Sequence, residues 1–107
     1  MDRIHMKERN SYLFLVTTPS IEEARKIGRY IVENKIAACT NLISNISSIY
    51  RWKGKIEEDA EVLLLIKTVE EKTDEVIAAI EKIHSYDTPE CVGFKIDKGS
   101  KKYLKWL

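Results

Sequence analysis

Five consecutive apolar residues, Val62-Leu63-Leu64-Leu65-Ile66, constrain this chain most. They lie inside a run from Ile56 to Thr68 that holds neither glycine nor proline and reads as a strand. Side chains on a strand point alternately to its two faces. A strand with one wet face would therefore alternate apolar and polar residues. Here Val62, Leu64 and Ile66 share one parity, and Leu63 and Leu65 share the other, so both faces of this strand need cover.

The flanking segments decide what can supply it. Tyr12 to Thr18 is a short apolar, β-branched run stopped by Pro19, and it reads as a buried strand. Ser20-Ile21-Glu22-Glu23 has the form of a capping box, with Ser20 as N-cap and Glu23 at the third helical position. Behind it, Ile21, Ala24, Ile27, Gly28, Ile31 and Val32 fall on one helical stripe that ends near Asn34. Ile36 to Trp52 reads as a long extended segment. Ser44, Asn45, Ser47 and Ser48 interrupt its apolar pattern, which predicts a bend or bulge. Lys53-Gly54 then turns the chain into the Ile56 strand.

Thr68-Val69-Glu70-Glu71 repeats the capping-box pattern, and Val76, Ile77, Ile80 and Ile83 form a second helical stripe ending near His84. Ser85 to Pro89 reads as a loop and Cys91 to Asp97 as a fourth strand. Lys98-Gly99-Ser100 turns the chain into a short amphipathic helix, Lys101 to Leu107. The order is strand, helix, strand, strand, helix, strand. Right-handed crossovers put both helices on one face of an antiparallel sheet, an α+β, ferredoxin-like βαββαβ plait. The other face keeps Leu63 and Leu65. Tyr50 and Trp52 stand two residues apart on the hairpin and share a face there. Covering these four residues, Tyr50, Trp52, Leu63 and Leu65, is the work expected of a second subunit.

Composition narrows the partners. The chain has 107 residues, 44% hydrophobic and 33% charged, which suits one soluble domain. A formal net charge of +1 gives no strong pull toward nucleic acid or anionic lipid, and neither is expected as a partner. No run of about eighteen apolar residues is present to span a bilayer. Residues 1–11 read as a flexible N-terminal tail, in which His5 and Met6 are at most loose copper donors, and 12–107 as the domain. Cys39 and Cys91 are far apart and no C-x-x-C occurs, so a reducing, cytoplasmic setting is expected.

This fold hosts many functions, so its individual residues must carry the functional reading. The first loop, Thr17-Thr18-Pro19-Ser20, lacks the C-x-x-C of the copper chaperones that share the plait. Glycines 28, 54, 93 and 99 are scattered, so no phosphate-cradling loop can be read. Phe14 alone gives little support to RNA binding. Cys39 and His84 could meet in space, but no third residue is placed to orient His84, and an enzyme is not expected. Cys39 and His84 with Glu61 or Glu90 make a soft-to-borderline donor set that favours copper over Mg or Ca. Each also has a plain structural reading. Cys39 would be a small core residue, His84 a helix C-terminal residue near the last carbonyls, and Glu61 the partner of Lys67 in a buried ion pair.

Several spaced motifs together point further. Ala38-Cys39-Thr40-Asn41, Tyr50-Arg51-Trp52-Lys53-Gly54-Lys55-Ile56 with Glu61 beyond, Lys67-Thr68, His84-Ser85-Tyr86-Asp87-Thr88-Pro89-Glu90 and Tyr103-Leu104-Lys105-Trp106-Leu107 resemble the divalent-cation tolerance protein family, CutA. The resemblance covers Tyr12 to Leu107. It implies a plait subunit in a tight homotrimer similar to the PII signalling proteins, cytoplasmic and linked to tolerance of copper and other divalent metal ions. By position it carries over Cys39, and His84, Tyr86 and Pro89, and in the hairpin Trp52, Lys55, Glu61 and Lys67. Two residues depart from the family pattern. Ser85 replaces its usual Pro, and Val16 stands where some members proposed to bind copper carry Cys. Cys91 takes the place of an aliphatic residue and reads as core.

Two functional expectations follow. One is a trimeric metal-binding or metal-responsive protein, with Cys39, His84, Glu90 and Glu61 as metal donors and copper as a cofactor not needed for folding. The alternative is a PII-like regulatory scaffold whose inter-subunit clefts, lined by Trp52, Lys67 and Tyr86, take a small anionic ligand or a partner protein.

Overall fold

The strand with two apolar parities lies inside the sheet, paired on both sides. The computed structural model describes residues 9–107. It runs β1 (Ser11–Thr18), α1 (Ile21–Glu33), β2 (Cys39–Trp52), β3 (Lys55–Val69), a 3-10 turn (Glu70–Lys72), α2 (Thr73–Ile83), β4 (Cys91–Ile96) and α3 (Lys101–Trp106). The strands form one sheet in the order β2-β3-β1-β4, each neighbouring pair antiparallel. This is the α+β ferredoxin-like plait with its short C-terminal helix. Most of the expected tail, His5 and Met6 included, lies outside the described residues. β1 takes in Ser11, which pairs with both Val69 and Ile96. No helix among the described residues is long and apolar enough to cross a membrane.

One face of the sheet is closed by α1 and α2. Phe14, Val16, Leu64 and Ile66 meet Ile27, Ile31, Val76, Ala79 and Ile80 in a single core. Each fully buried aliphatic side chain of this kind stabilises by roughly 1.5–3 kcal/mol. Gly28 lets α1 approach β2, since a Cβ there would lie 2.9 Å from Thr40 Oγ1.

The opposite face stays open in the single chain. The register aligns Leu13 with Phe94, Leu15 with Val92 and Leu65, and Leu63 with Ile43. Leu13, Leu15, Leu63 and Leu65 are half-buried, while Ile43, Val92 and Phe94 are exposed. The expected uncovered face is therefore present, and it is wider than Leu63 and Leu65 alone.

The bend expected in the second strand is a break in β2–β3 pairing between Ile43 and Ile46, with Asn45 at φ 63°. Beyond it, Ile46–Trp52 and Lys55–Glu61 run out as a two-stranded arm. Its tip is a two-residue turn in which Lys53 (φ 52°) and Gly54 (φ 79°) are both left-handed, the backbone a type I′ hairpin requires. Trp52, on this arm, is 52% exposed.

The helix starts differ in an instructive way. Ser20 Oγ accepts the Glu23 N–H at 3.1 Å, so the first cap is as expected. Thr68 is not a cap. It is buried within β3, and its hydroxyl donates to the Ile36 carbonyl at 2.7 Å. A buried hydroxyl must find a partner, and the nearby loop supplies it. The chain then passes through the 3-10 turn, and Thr73, whose hydroxyl donates to the Glu70 carbonyl at 2.9 Å, opens α2.

Candidate functional site: an acidic, aromatic cleft

The loop after α2 is held by His84, which caps that helix with its own backbone N–H on the Ile80 carbonyl. Its side chain is buried and turned across the fold rather than toward the helix carbonyls. Nε2 lies 2.8 Å from the Thr17 carbonyl, which can only accept, so Nε2 carries the proton. Nδ1 then accepts the Tyr86 N–H at 3.0 Å. Glu23 adds a second tie. Its carboxylate does not close the capping box but accepts the Ser85 N–H at 2.9 Å and lies 3.5 Å from His84 Nδ1. Ser85, where the family pattern has Pro, thus supplies a backbone donor that Pro lacks.

This anchoring brings Tyr86 to β3, where its hydroxyl donates to Glu61 Oε2 at 2.7 Å. Burial, and then the Glu61 bond, push the Tyr86 phenol well above its ordinary range. On the arm, Tyr50 donates to Asp59, and that bond raises its phenol from 10.0 to about 12. Thr17, Tyr50, Trp52, Glu61, Tyr86, Asp87 and Glu90 line one cleft of about 640 Å³, together with Ser48, Ile49 and Thr88. Three carboxylates and no lysine or arginine line it. Its oxygen donors and aromatic walls suit a cation.

The expected metal donors are not one site within a chain. Glu61 and Glu90 share the cleft. Cys39 pairs with Lys67 on the open face, six residues along β3 from Glu61, a separation of about 20 Å at ~3.3 Å per residue. Its Sγ lies 3.7 Å from Asn41 Oδ1. His84 has both ring nitrogens engaged inside the chain, so binding a metal there would break a bond that holds the loop. No group of three His, Cys, Asp or Glu able to hold a metal occurs among the described residues.

The expected cleft residues divide similarly. Trp52 and Tyr86 come together, whereas Lys67 does not join them. Its Nζ lies 3.4 Å from the Tyr103 hydroxyl and 5.6 Å above that ring, held by α3. The expected Glu61–Lys67 ion pair is absent too, because the two stand six residues apart on β3, about 20 Å at ~3.3 Å per residue, and Glu61 meets the Tyr86 hydroxyl. Cys91 is half-buried, and burial first, then nearby Glu81 and Glu90, push its thiol up to about 11.

Sequence reasoning missed Glu23, Asp59 and Asp87. Glu23 was hidden because the same spacing that signals a capping box also describes a residue free to reach elsewhere. Asp87 had a usable signal, since it sits beside Tyr86 in a loop already singled out.

Residues 12–107 match the family of the CutA1 divalent ion tolerance protein. The chain belongs to that family. It is 42% identical over 93 residues to the divalent-cation tolerance protein CutA of Thermus thermophilus, covering 87% of this chain and 90% of that one. It is 46% identical over 92 residues to the CutA homolog of Xenopus laevis, covering 86% of this chain but only 61% of the frog protein's length. Among solved structures, CutA1 from Oryza sativa superposes with a TM-score of 0.89 at 40% identity, covering 92% of this chain and 90% of the rice chain. The CutA1 fold is thus this chain's fold.

Proposed function

We propose that this CutA1-family chain is the subunit of a PII-like homotrimer that binds, or responds to, divalent cations, without catalysing a reaction. The observation that carries this reading is the incompleteness of the single chain. One sheet face leaves Ile43, Val92 and Phe94 exposed, and Cys39 and Glu61 stand on that face too far apart to share an ion. Packing open faces together buries the apolar residues and lets a donor from one subunit approach a donor from the next. Cys39, Glu61 and Glu90 are the donors available to such shared sites. His84 is available only at the expense of its loop. A thiolate among the donors favours copper over Mg or Ca.

The proposed setting is cytoplasmic, where both cysteines, free in this fold, stay reduced. The PII-like scaffold with a small anionic ligand ranks second. The cleft of a single chain carries three carboxylates and no base, so an anion would depend on a neighbour's lysines or arginines.

Isothermal titration of the assembled protein tests the reading. Cu(II) is expected to bind more tightly than Mg(II), and Cys39→Ala and Glu61→Gln are each expected to weaken copper. Identical copper isotherms for wild type and both variants would reject these donors.

A further inference from the structure

Glu61 is 8% exposed and lines the cleft. Its Oε2 accepts the Tyr86 hydroxyl, while Oε1 has no hydrogen-bond or ion-pair partner among the described residues. A buried carboxylate with an unanswered oxygen is costly to keep, and it marks where a donor from outside the chain would bind. Asp87 and Glu90, both exposed, line the same cleft.

These three carboxylates do not make a single metal site, since no three acidic, thiol or imidazole groups among the described residues could hold a metal ion. A single metal ion needs every donor within about 2–2.6 Å of one point. A flexible organic cation, with ammonium groups spaced along an aliphatic chain, needs donors that are spread out. The remaining walls suit it as well. Tyr50, Trp52 and Tyr86 offer ring faces that attract ammonium groups within about 6 Å and pack against methylenes. A volume of about 640 Å³ is ample for such a ligand.

We propose that this cleft binds a linear aliphatic polyamine. One ammonium donates to Glu61, the methylenes lie against Trp52 and Tyr86, and the remaining ammonium groups reach Asp87 and Glu90. Every group named comes from one chain; Glu61 and Glu90 are also donors in the metal reading, whereas Asp87 belongs to this site alone.

Isothermal titration with spermidine, putrescine and Mg(II) separates the possibilities. Spermidine is expected to saturate at one per chain, and putrescine, with one ammonium fewer, to bind about tenfold more weakly, the loss of one charge-assisted bond. Glu61→Gln is expected to weaken spermidine at least about tenfold by the same loss. Asp87→Asn and Glu90→Gln change exposed residues, so they carry the test even if Glu61→Gln folds poorly, and each is expected to weaken binding several-fold. Copper isotherms run in parallel report the metal reading separately. The proposal is overturned if spermidine shows no saturable binding, if binding is unchanged in Asp87→Asn and Glu90→Gln, or if Mg(II) at equal ionic strength displaces spermidine as well as putrescine does.

Discussion

Tyr86 and Glu61, 25 residues apart in sequence, are joined by a 2.7 Å hydrogen bond that ties the loop after α2 to the inner strand β3. The bond depends on a chain of local ties. His84 orients the Tyr86 N–H, and Glu23 holds Ser85 from the start of α1. The loop is therefore positioned by both helices, and the cleft inherits that rigidity.

Removing the Tyr86 hydroxyl leaves the buried Glu61 carboxylate without its partner. Tyr86→Phe is expected to destabilise by about 1–3 kcal/mol, the range for orphaning a buried polar group, as read by urea unfolding. Stability equal to wild type would mean that water or a neighbouring subunit satisfies Glu61 equally well.

Gly93 faces Phe14 across the β1–β4 ladder. A Cβ at that position would lie 2.5 Å from Phe14 Cε2, and Phe14 is itself buried in the core. Gly93→Ala forces the ring to move and is expected to cost about 1–3 kcal/mol, as overpacking does. Thermal unfolding would show it as a lowered midpoint, and an unchanged midpoint would contradict the close approach.

The paired phenols set an alkaline limit. Asp59 raises Tyr50 from 10.0 to about 12, so this phenol holds its proton more tightly in the folded chain than in the unfolded one. Its contribution to stability is complete below pH ~10 and is lost as the pH rises toward 12. Tyr86 moves in the same direction. Tyrosinate absorbance should therefore rise with a late fraction among the five tyrosines, and Tyr50→Phe should diminish it. A single common titration near the ordinary tyrosine value would contradict both bonds.

Much of the fold could be read in advance from local rules. The two-parity run of β3, the Ser20 cap and the Lys53-Gly54 turn each have a short-range cause, and each is where it was expected. Thr68 misled because a capping box is only a spacing, and the burial that claimed its hydroxyl comes from Ile36, 32 residues away. The site was less legible for the same reason. Trp52 and Tyr86 line one cleft of a single chain, whereas a cleft between subunits was expected; His84 turned inward to the Thr17 carbonyl and Lys67 went to Tyr103. Those partners are chosen by tertiary packing, and residue type alone does not encode them.

The arm carries the assembly prediction. Trp52 is half-exposed in one chain and sits beside exposed Ile49 and Ile56. A large aromatic buried at an interface centre is often worth ~2 kcal/mol or more when truncated. Trp52→Ala is expected to weaken self-association while leaving the helix-covered core intact, as read by circular dichroism and sedimentation together. Unchanged association would remove the arm from the interface.

Sedimentation equilibrium of the wild-type protein over the micromolar range tests most directly whether one chain is incomplete alone. An assembly of three chains, stable to dilution, is expected, because obligate interfaces typically exceed ~2,000 Å² and leave no stable folded monomer. A folded monomer at micromolar concentration would contradict it, for the open sheet face and the arm would then be at ease in water.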